Sequence, residues 1–403
     1  MCRSIMLDKS STKLFVSGAL MLFANAAGAF ADDCAPKPVC PPKPFPPKPC
    51  CKPVCCPPIE DDCCKRNICP PTGMITPRVD LVKGDGMEWF VTSDYTYWTA
   101  REDSLEFAFT IVTQGAIPTQ SAGQGKVYRI NNKWASGFKV GLGTDFCHDG
   151  WDVYAEYTWF NSTTDKHIGG FAVDSTPLGA VSLVDGYWNV NGNFTQGNIA
   201  YTSSSAKWRV NMNVVDLEMG RNFYVSPRLT LRPFYGLKGA WNKQHMNVNF
   251  DGLDSAVPAP APVPAELATT NKIKNWGVGV RGGMDASWHF TRSFSFIGDM
   301  AFTALWEQFK VTRYDTLAES GVVRSTIDLK EDLYVVKPII EWMLGLKWET
   351  GLSCDTYHLA ISAAWEEQVW FGQNKFLRVP GCAPTAGDDL TFQGLTVDVR
   401  FDF

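Results

Sequence analysis

The sequence lacks three features that would place it in common protein classes. After residue 31, no apolar run approaches the roughly 18 residues that a membrane-spanning helix needs, which excludes a helical membrane protein. It has no excess of basic residues: 37 Lys and Arg stand against 42 Asp and Glu, for a net charge of −5. Because nucleic-acid binding calls for a basic face, this balance argues against nucleic acid as a partner.

Histidine is also scarce, with 5 residues in a chain of 403. They show no metal-ligand spacing and no motif for nucleophilic catalysis. We therefore predict no enzymatic activity, no catalytic residues, no metal and no cofactor. The histidines are His148, His167, His245, His289 and His358.

The first 31 residues have the pattern of a secretory signal peptide. Lys9 and Lys13 precede an apolar stretch at 14–24, and the small residues that follow end in an A-x-A cleavage site, Ala29-Phe30-Ala31. A short transmembrane anchor is the alternative, but it needs a longer apolar run. We expect the mature chain to start in an oxidising compartment, where disulfides persist.

Residues 32–80 form a segment rich in proline and cysteine. Proline removes backbone donors and favours extended geometry, so this segment cannot build a core and its order must come from cross-links. Two alternatives stay open: a zinc site, although the segment has no histidine, and a self-contained disulfide knot. The segment's disulfide candidates are Cys34, Cys40, Cys50, Cys51, Cys55, Cys56, Cys63, Cys64 and Cys69. Their odd number suggests at least one bond outside the segment.

We assign residues 81–403 to one domain, and from residue 87 onward this domain alternates apolar and polar residues with the period of two that β-strands show. One apolar stripe consists of Trp276, Val278, Val280, Gly282, Met284, Ala286 and Trp288. Aromatic residues at both ends of such a stripe are typical of a transmembrane β-barrel, whose lipid face is an apolar band between two aromatic girdles. We therefore predict an all-β, antiparallel transmembrane barrel.

The connections support the barrel over a soluble β-sandwich. Sandwich strands are typically 5–6 residues long, whereas these stripes are longer, and tight turns alternate with long loops. Strands are predicted near 87–99, 134–147, 151–161, 206–224, 228–246, 274–289, 293–311, 332–349, 355–371 and 390–403. Strand-like pieces at 105–112 and 126–130 make ten a lower bound, so we expect about 10–14 strands, in an even number. The last strand ends on Phe403, as in Gram-negative outer-membrane barrels.

Charged residues on the faces opposite the apolar stripes are candidates to line the barrel interior. A charge inside a barrel is costly unless water or a partner charge is present, so they predict either a water-filled path or an interior held by ion pairs. The pore-lining candidates are Lys139, Arg228, Arg232, Lys238, Arg281, Lys337, Glu341, Asp285, Asp299 and Arg400. Lys347, Asp152, Glu156, Asp216, Glu218, Asp398 and Asp402 share this pattern. At this strand number we expect a narrow pore.

Two further cysteines fall beside predicted short turns. Cys147 and Cys354 would lie on the periplasmic side, together with the cysteine-rich segment, so both are disulfide candidates. A direct bond between them is less favoured than bonds to that segment or to neighbouring envelope proteins, because the two turns belong to different hairpins. Cys382, in a predicted long loop, belongs to the opposite side.

Two stretches carry a family resemblance: residues 89–108 (WFVTSDYTYWTAREDSLEFA) and 148–157 (HDGWDVYAEY). They resemble the Legionella-type pore-forming major outer-membrane protein family, over roughly residues 87–403. The cysteine-rich front departs from that family and is similar in style to proteins of chlamydia-like envelopes, in which disulfides among outer-membrane proteins supply mechanical strength. The resemblance implies a β-barrel porin and leaves pore size and solute open.

These observations predict a porin of a Gram-negative outer membrane, with its N-terminal segment in the periplasm. Small hydrophilic solutes or ions would diffuse through it passively, and disulfides would cross-link it into the envelope. The alternative is a structural or adhesive surface barrel whose long loops bind host or neighbouring proteins. The expected partners are outer-membrane lipid, the permeating solutes and other envelope proteins; homo-oligomer formation is left open.

Overall fold

The computed structural model describes residues 88–112, 126–146, 150–169, 181–184, 199–254, 263–352, 357–377 and 388–403. In this part of the chain the regular elements are fourteen strands. They are β1 (Glu88–Glu102), β2 (Glu106–Val112), β3 (Val127–Arg129), β4 (Trp134–Phe146), β5 (Trp151–Ile168), β6 (Val181–Val184), β7 (Ile199–Arg221), β8 (Phe223–Ser226), β9 (Leu229–Asp254), β10 (Val263–His289), β11 (Phe294–Glu319), β12 (Val322–Leu352), β13 (Tyr357–Trp370) and β14 (Leu390–Asp402).

Ten of these strands form a closed antiparallel ring in the order β1-β4-β5-β7-β9-β10-β11-β12-β13-β14. The ring closes because β14 pairs with β1, from Phe90↔Asp402 to Glu102↔Leu390. Closure pairs the edges that an open sheet would leave free. The ring strands are the ten that the sequence predicts, so the barrel prediction is confirmed.

The four remaining strands lie outside the ring. β2 pairs with β3 and β6, and β6 meets β7 through one residue pair. β8 is a short strand that pairs with the start of β9. The strand-like pieces recognised in the sequence, 105–112 and 126–130, therefore pair with each other but do not widen the barrel.

The outer face of the ring is an apolar belt between two groups of exposed aromatic residues. At one boundary Trp276 packs edge-on against Trp306, which stacks on Tyr334. At the other boundary Phe290 stacks on Phe294, beside Trp288. Trp288 lies twelve positions after Trp276 on β10. At a rise of ~3.3 Å per residue and a tilt of ~40° this spans about 30 Å, the thickness of a bilayer core.

Two predicted long loops are largely strand. The stretch 312–331 is a hairpin of β11 and β12 with a two-residue turn, in which Ser320 has φ 50° and Gly321 has φ 78°. Likewise, β9 continues to Asp254 and β10 begins at Val263, inside the predicted loop 247–273. These stretches lie beyond the aromatic boundary, where the outward face has no lipid to meet. The apolar alternation therefore stops although the backbone pairing continues.

The interior changes in character along the barrel axis. At the short-turn end, where β4–β5, β10–β11 and β12–β13 are joined and β14 ends, the inward side chains are mostly charged. Toward the opposite, long-loop end they become apolar. Trp98, Phe160, Phe309, Trp370 and Phe392 are all at most 1% exposed there and belong to one buried cluster. We call this cluster the apolar layer.

No helix in the described ranges is long and apolar enough to cross a membrane.

Candidate functional site

A cavity of about 420 Å³ lies inside the barrel at the short-turn end, and acidic side chains dominate its walls. Fourteen Asp and Glu residues line it, against six Lys and Arg residues. The alternation of each strand brings these groups together, because every second side chain points inward. We call it the acidic cavity.

Arg232 on β9 holds one wall of the acidic cavity together. Its guanidinium donates to both carboxylate oxygens of Asp152, over 2.8 Å from Nε and 2.5 Å from Nη2. Nη1 donates to Asp285 Oδ2 over 2.6 Å and lies 3.5 Å from Glu218. One cation therefore joins carboxylates from three other strands, β5, β7 and β10.

Lys238 and Arg281 form a second cluster deeper in the cavity. Lys238, which is 1% exposed, donates to Asp216 over 2.9 Å and to Glu341 over 2.8 Å. Arg281 pairs with Glu341 and, through Nε, with Glu218 over 2.9 Å. The two cations and three carboxylates tie β7, β9, β10 and β12 across the interior.

Lys139 connects the acidic cavity to the apolar layer. Its Nζ donates to Glu366 over 2.9 Å and lies 3.6 Å from Glu156. Glu366 also accepts from the Thr396 hydroxyl, which in turn accepts from Trp98 Nε1 over 3.0 Å. A chain of hydrogen bonds thus connects the indole of Trp98, in the apolar layer, to the charged groups of the acidic cavity.

At the rim of the short-turn end, Arg400 pairs with Asp402 over 2.7 Å and stacks over Phe90. His358 Nδ1 bonds the same carboxylate over 2.6 Å, and Lys347 pairs with Glu349 over 2.9 Å. All six Lys and Arg residues of the acidic cavity therefore have carboxylate partners.

Some carboxyl groups of the acidic cavity also face one another across neighbouring strands. Asp94 opposes Asp398 in the β1–β14 register, and Asp285 opposes Asp299 in the β10–β11 register. Close carboxyl groups of this kind share protons readily. Even with one proton shared in each pair, carboxylates outnumber cations around the acidic cavity.

The structure places eight of the ten pore-lining candidates around this one cavity. They are Lys139, Arg232, Lys238, Arg281, Glu341, Asp285, Asp299 and Arg400. Lys337 is buried inside the barrel nearer the apolar layer: its Nζ lies 3.9 Å from the ring centre of Phe309 and donates to Gln373 over 3.2 Å.

Arg228 is the exception among the candidates, and its predicted inward position is wrong. It is exposed in the turn between β8 and β9. The Ser226 hydroxyl accepts from the backbone N–H groups of Arg228 and Leu229, over 3.2 and 3.0 Å. This local turn ends the strand before Arg228, so the alternation used to orient its side chain does not apply there.

A second cavity, of about 350 Å³, lies at the long-loop end, and we call it the rim cavity. Arg101, Glu102, Asp103, Asn131 and Trp208 are among its lining residues. The segment 371–377 after β13 turns inward near this end: Gln373 is fully buried and the Asn374 amide donates to the Asp103 backbone oxygen over 2.9 Å.

Several buried polar residues between the two cavities were not among the candidates chosen from the sequence. Asn242, Gln244, Asn275 and Glu307 are each at most 5% exposed and face inward. They share strand and parity with recognised candidates, since Asn242 and Gln244 follow Lys238 at even positions of β9. Extending the parity rule to amide side chains would have found Asn242, Gln244 and Asn275, and applying it along the whole of β11 from Asp299 would have found Glu307.

All the disulfide candidates lie outside the residues that the structure describes, as do the predicted signal peptide and the segment 32–80. Within the described ranges, no cluster of three or more His, Cys, Asp or Glu side chains is arranged to hold a metal ion.

A closed antiparallel ring, with an apolar belt between aromatic girdles outside and charged side chains inside, defines a transmembrane β-barrel of the outer-membrane class. The sequence profile of the Legionella pneumophila major outer membrane protein precursor matches residues 85–403. The chain belongs to this family, which confirms the resemblance seen in its strands. It is therefore a protein of the outer membrane, and its belt contacts membrane lipid.

Solved barrels resemble the chain at low identity. The outer membrane protease OmpT from Escherichia coli is 10% identical, and the alignment covers 78% of this chain and 97% of OmpT, with a TM-score of 0.34. A major outer membrane protein from Thermus thermophilus is 10% identical, with 79% and 100% covered and a TM-score of 0.27. A Pseudomonas aeruginosa FadL homologue is 9% identical, with 79% and 90% covered and a TM-score of 0.25. The comparison with curated proteins found no match.

Proposed function

We propose that this chain is a porin through which small hydrophilic solutes and ions, cations in preference, diffuse passively across the outer membrane. The acidic cavity is the observation that carries the proposal. It occupies the barrel interior at the short-turn end and is lined by fourteen acidic and six basic side chains.

The excess of carboxyl groups over basic groups in the acidic cavity accounts for the preference for cations. Each of the six basic side chains is already paired with a carboxylate, so the remaining carboxyl groups are left to set the potential of the cavity. Charged side chains inside a barrel are tolerated where water hydrates them, and acidic linings favour cations. Solutes attracted to this cavity would therefore be small and positively charged.

The apolar layer limits the size of what passes. Trp98 and Phe160 have ring centres 5.8 Å apart, and Phe160 and Phe392 have centres 5.5 Å apart, so these rings pack closely inside the barrel on the side formed by β5, β1 and β14. A ten-stranded ring is only slightly wider than eight-stranded barrels, which side chains fill. We therefore propose a narrow pore of low conductance.

Single-channel recording of the purified, detergent-folded protein in a planar bilayer tests the proposal. Stable conductance steps from a preparation whose strand content is established by circular dichroism are expected. Silence from such a preparation, with and without reductant, would contradict it.

A further part of the proposal concerns how the cysteines connect this chain to the cell envelope. Nine cysteines precede the barrel, and Cys147 and Cys354 lie in the connections that join β4 to β5 and β12 to β13 at the short-turn end. We propose that this end faces the periplasm, as short turns do in outer-membrane barrels. The N-terminal segment would lie there too, and disulfides would link the chain to other envelope proteins.

A structural or adhesive role is the second candidate, and the filled long-loop half of the barrel favours it. The apolar layer closes much of the cross-section there, as in a barrel that serves as an anchor. The hairpin of β11 and β12 also extends beyond the pairing with β13, which begins only at Ile339. A folded barrel that gives no conductance but captures envelope proteins through disulfides would support this role.

A further inference from the structure

Strand β9 connects the two cavities along one wall of the barrel. Its inward positions run Lys238, Ala240, Asn242 and Gln244. Lys238 lines the acidic cavity. Gln244 donates to Glu102, which lines the rim cavity, over 3.1 Å. The path from Lys238 to Gln244 covers about 20 Å along the strand at a rise of ~3.3 Å per residue.

Asn242 lies at the middle of this connection with an unused amide. The side chain is 1% exposed, and neither Nδ2 nor Oδ1 has a hydrogen-bond partner among the described residues. Burying an amide without a partner is costly, so such a group in a native barrel needs a hydrogen-bonding or coordinating species beside it.

Asn275 and Glu307 continue the same polar patch on β10 and β11. Asn275 is paired with Asn242 across the β9–β10 register, and its Nδ2 donates to Glu307 Oε1 over 2.7 Å. This orientation leaves Asn275 Oδ1 buried without a partner in the described part of the chain. Glu307 is fully buried, and its Oε2 is 3.8 Å from Lys337 Nζ.

The facing wall carries only small polar groups at this level, the buried hydroxyls of Thr96, Thr158 and Ser162, beside bulky aromatic rings. Trp98, Phe160 and Phe392 pack against one another there, and each is at most 1% exposed. On the β9–β11 wall, Asn242, Asn275 and Glu307 place amide and carboxylate groups between the acidic cavity and the rim cavity. We call these three residues the polar constriction.

We propose that the polar constriction is the ion-selective narrow point of the barrel, and that small monovalent cations pass through it between the two cavities. This inference rests on the proposed porin function. The amide oxygens of Asn242 and Asn275 and the carboxylate of Glu307 supply hard oxygen ligands for a partly dehydrated cation. Lys337 offsets the charge of the one carboxylate, so the constriction is suited to monovalent and not to divalent cations.

Opposite substitutions at Asn242 test the position of the constriction. Asn242→Leu replaces the amide with an apolar group of similar size, so we expect the single-channel conductance in KCl to fall at least about threefold. Asn242→Ala widens the same point and should raise the conductance. Asn249→Leu is the matched control, because Asn249 is an exposed residue of the same strand, and it should conduct like the wild type.

Glu307→Gln tests the selectivity. It should lower the ratio of cation to anion permeability, measured from the reversal potential in a KCl gradient, at least about twofold. Glu266→Gln, at an exposed position of β10, is the control. Circular dichroism of each variant shows that the barrel has formed.

The outcomes separate the inference from the function on which it rests. A wild-type barrel that is silent overturns both. A wild-type barrel that conducts, with Asn242→Leu and Asn242→Ala unchanged in conductance and Glu307→Gln unchanged in selectivity, overturns the polar constriction and leaves the porin function standing.

Discussion

Arg232 donates two hydrogen bonds to Asp152 although a complete strand lies between them. Arg232 is on β9 and Asp152 on β5, and β7 separates the two. Gly220 of β7 is the Cα partner of Asp152, and a Cβ atom there would come within 2.5 Å of Arg232 Nε. The absence of a side chain at Gly220 therefore lets the guanidinium lie across β7.

Gly220→Ala should consequently destabilise the barrel. The added methyl group displaces the guanidinium and weakens a largely buried ion pair, which we expect to lower the free energy of unfolding by about 2 kcal/mol. Urea unfolding of the folded barrel measures the effect. Gly282→Ala is the control, since a Cβ there approaches nothing closer than 3.6 Å. Equal stability of the two variants would show that Gly220 is not needed for this ion pair.

Lys238 should be more important for stability than its single positive charge suggests. Lys238→Met removes a cation that Asp216 and Glu341 both contact within 3 Å, so we expect a loss of about 3 kcal/mol in unfolding free energy. Adding Glu341→Gln should recover part of the loss, because it removes one of the carboxylates left without its lysine. A double variant less stable than Lys238→Met alone would contradict this explanation.

Phe392 should control the size of the solutes that pass the apolar layer. Its ring packs against Trp98 and Phe160, so Phe392→Ala opens a gap in the layer at a cost of about 3 kcal/mol in stability. Swelling of proteoliposomes in solutions of small sugars should become faster. Phe302→Ala, at a position that is 48% exposed on the lipid face, should not change the swelling rate. Equal rates for both variants would mean that the apolar layer does not restrict passage.

The cysteines should cross-link the chain in the envelope. Non-reducing electrophoresis of isolated outer membranes should show high-mass species that collapse to the monomer on addition of reductant, because the oxidising compartment lets disulfides persist. Replacing both Cys147 and Cys354 by serine should weaken these species without abolishing them, since nine cysteines remain in the segment 32–80. A monomer band alone, with all mature cysteines free, would exclude the network.

The sequence was informative wherever one face of a strand meets lipid. Alternation such as that from Trp276 to Trp288 requires an apolar outer face, so it located all ten ring strands and oriented residues such as Lys238 and Arg281 inward. The same rule failed beyond the belt. The hairpin around Ser320 and Gly321 carries no apolar stripe to reveal that its backbone is paired.

The interior was harder to predict than the outer surface. Periodicity tells which side chains point inward, but contacts such as that between Arg232 and Asp152 depend on strand order and stagger, which join residues far apart in the sequence. The apolar layer could not be predicted either. Trp98 and Phe392 face inward with the parity of polar residues, so their aromatic character gave no sign that they fill the barrel.

The reversal potential of single channels in a KCl gradient tests the central claim most directly. The excess of carboxyl groups in the acidic cavity predicts a non-zero reversal potential with the sign expected of a cation-selective pore. A reversal potential at zero, or one with the sign of an anion-selective pore, would contradict the account.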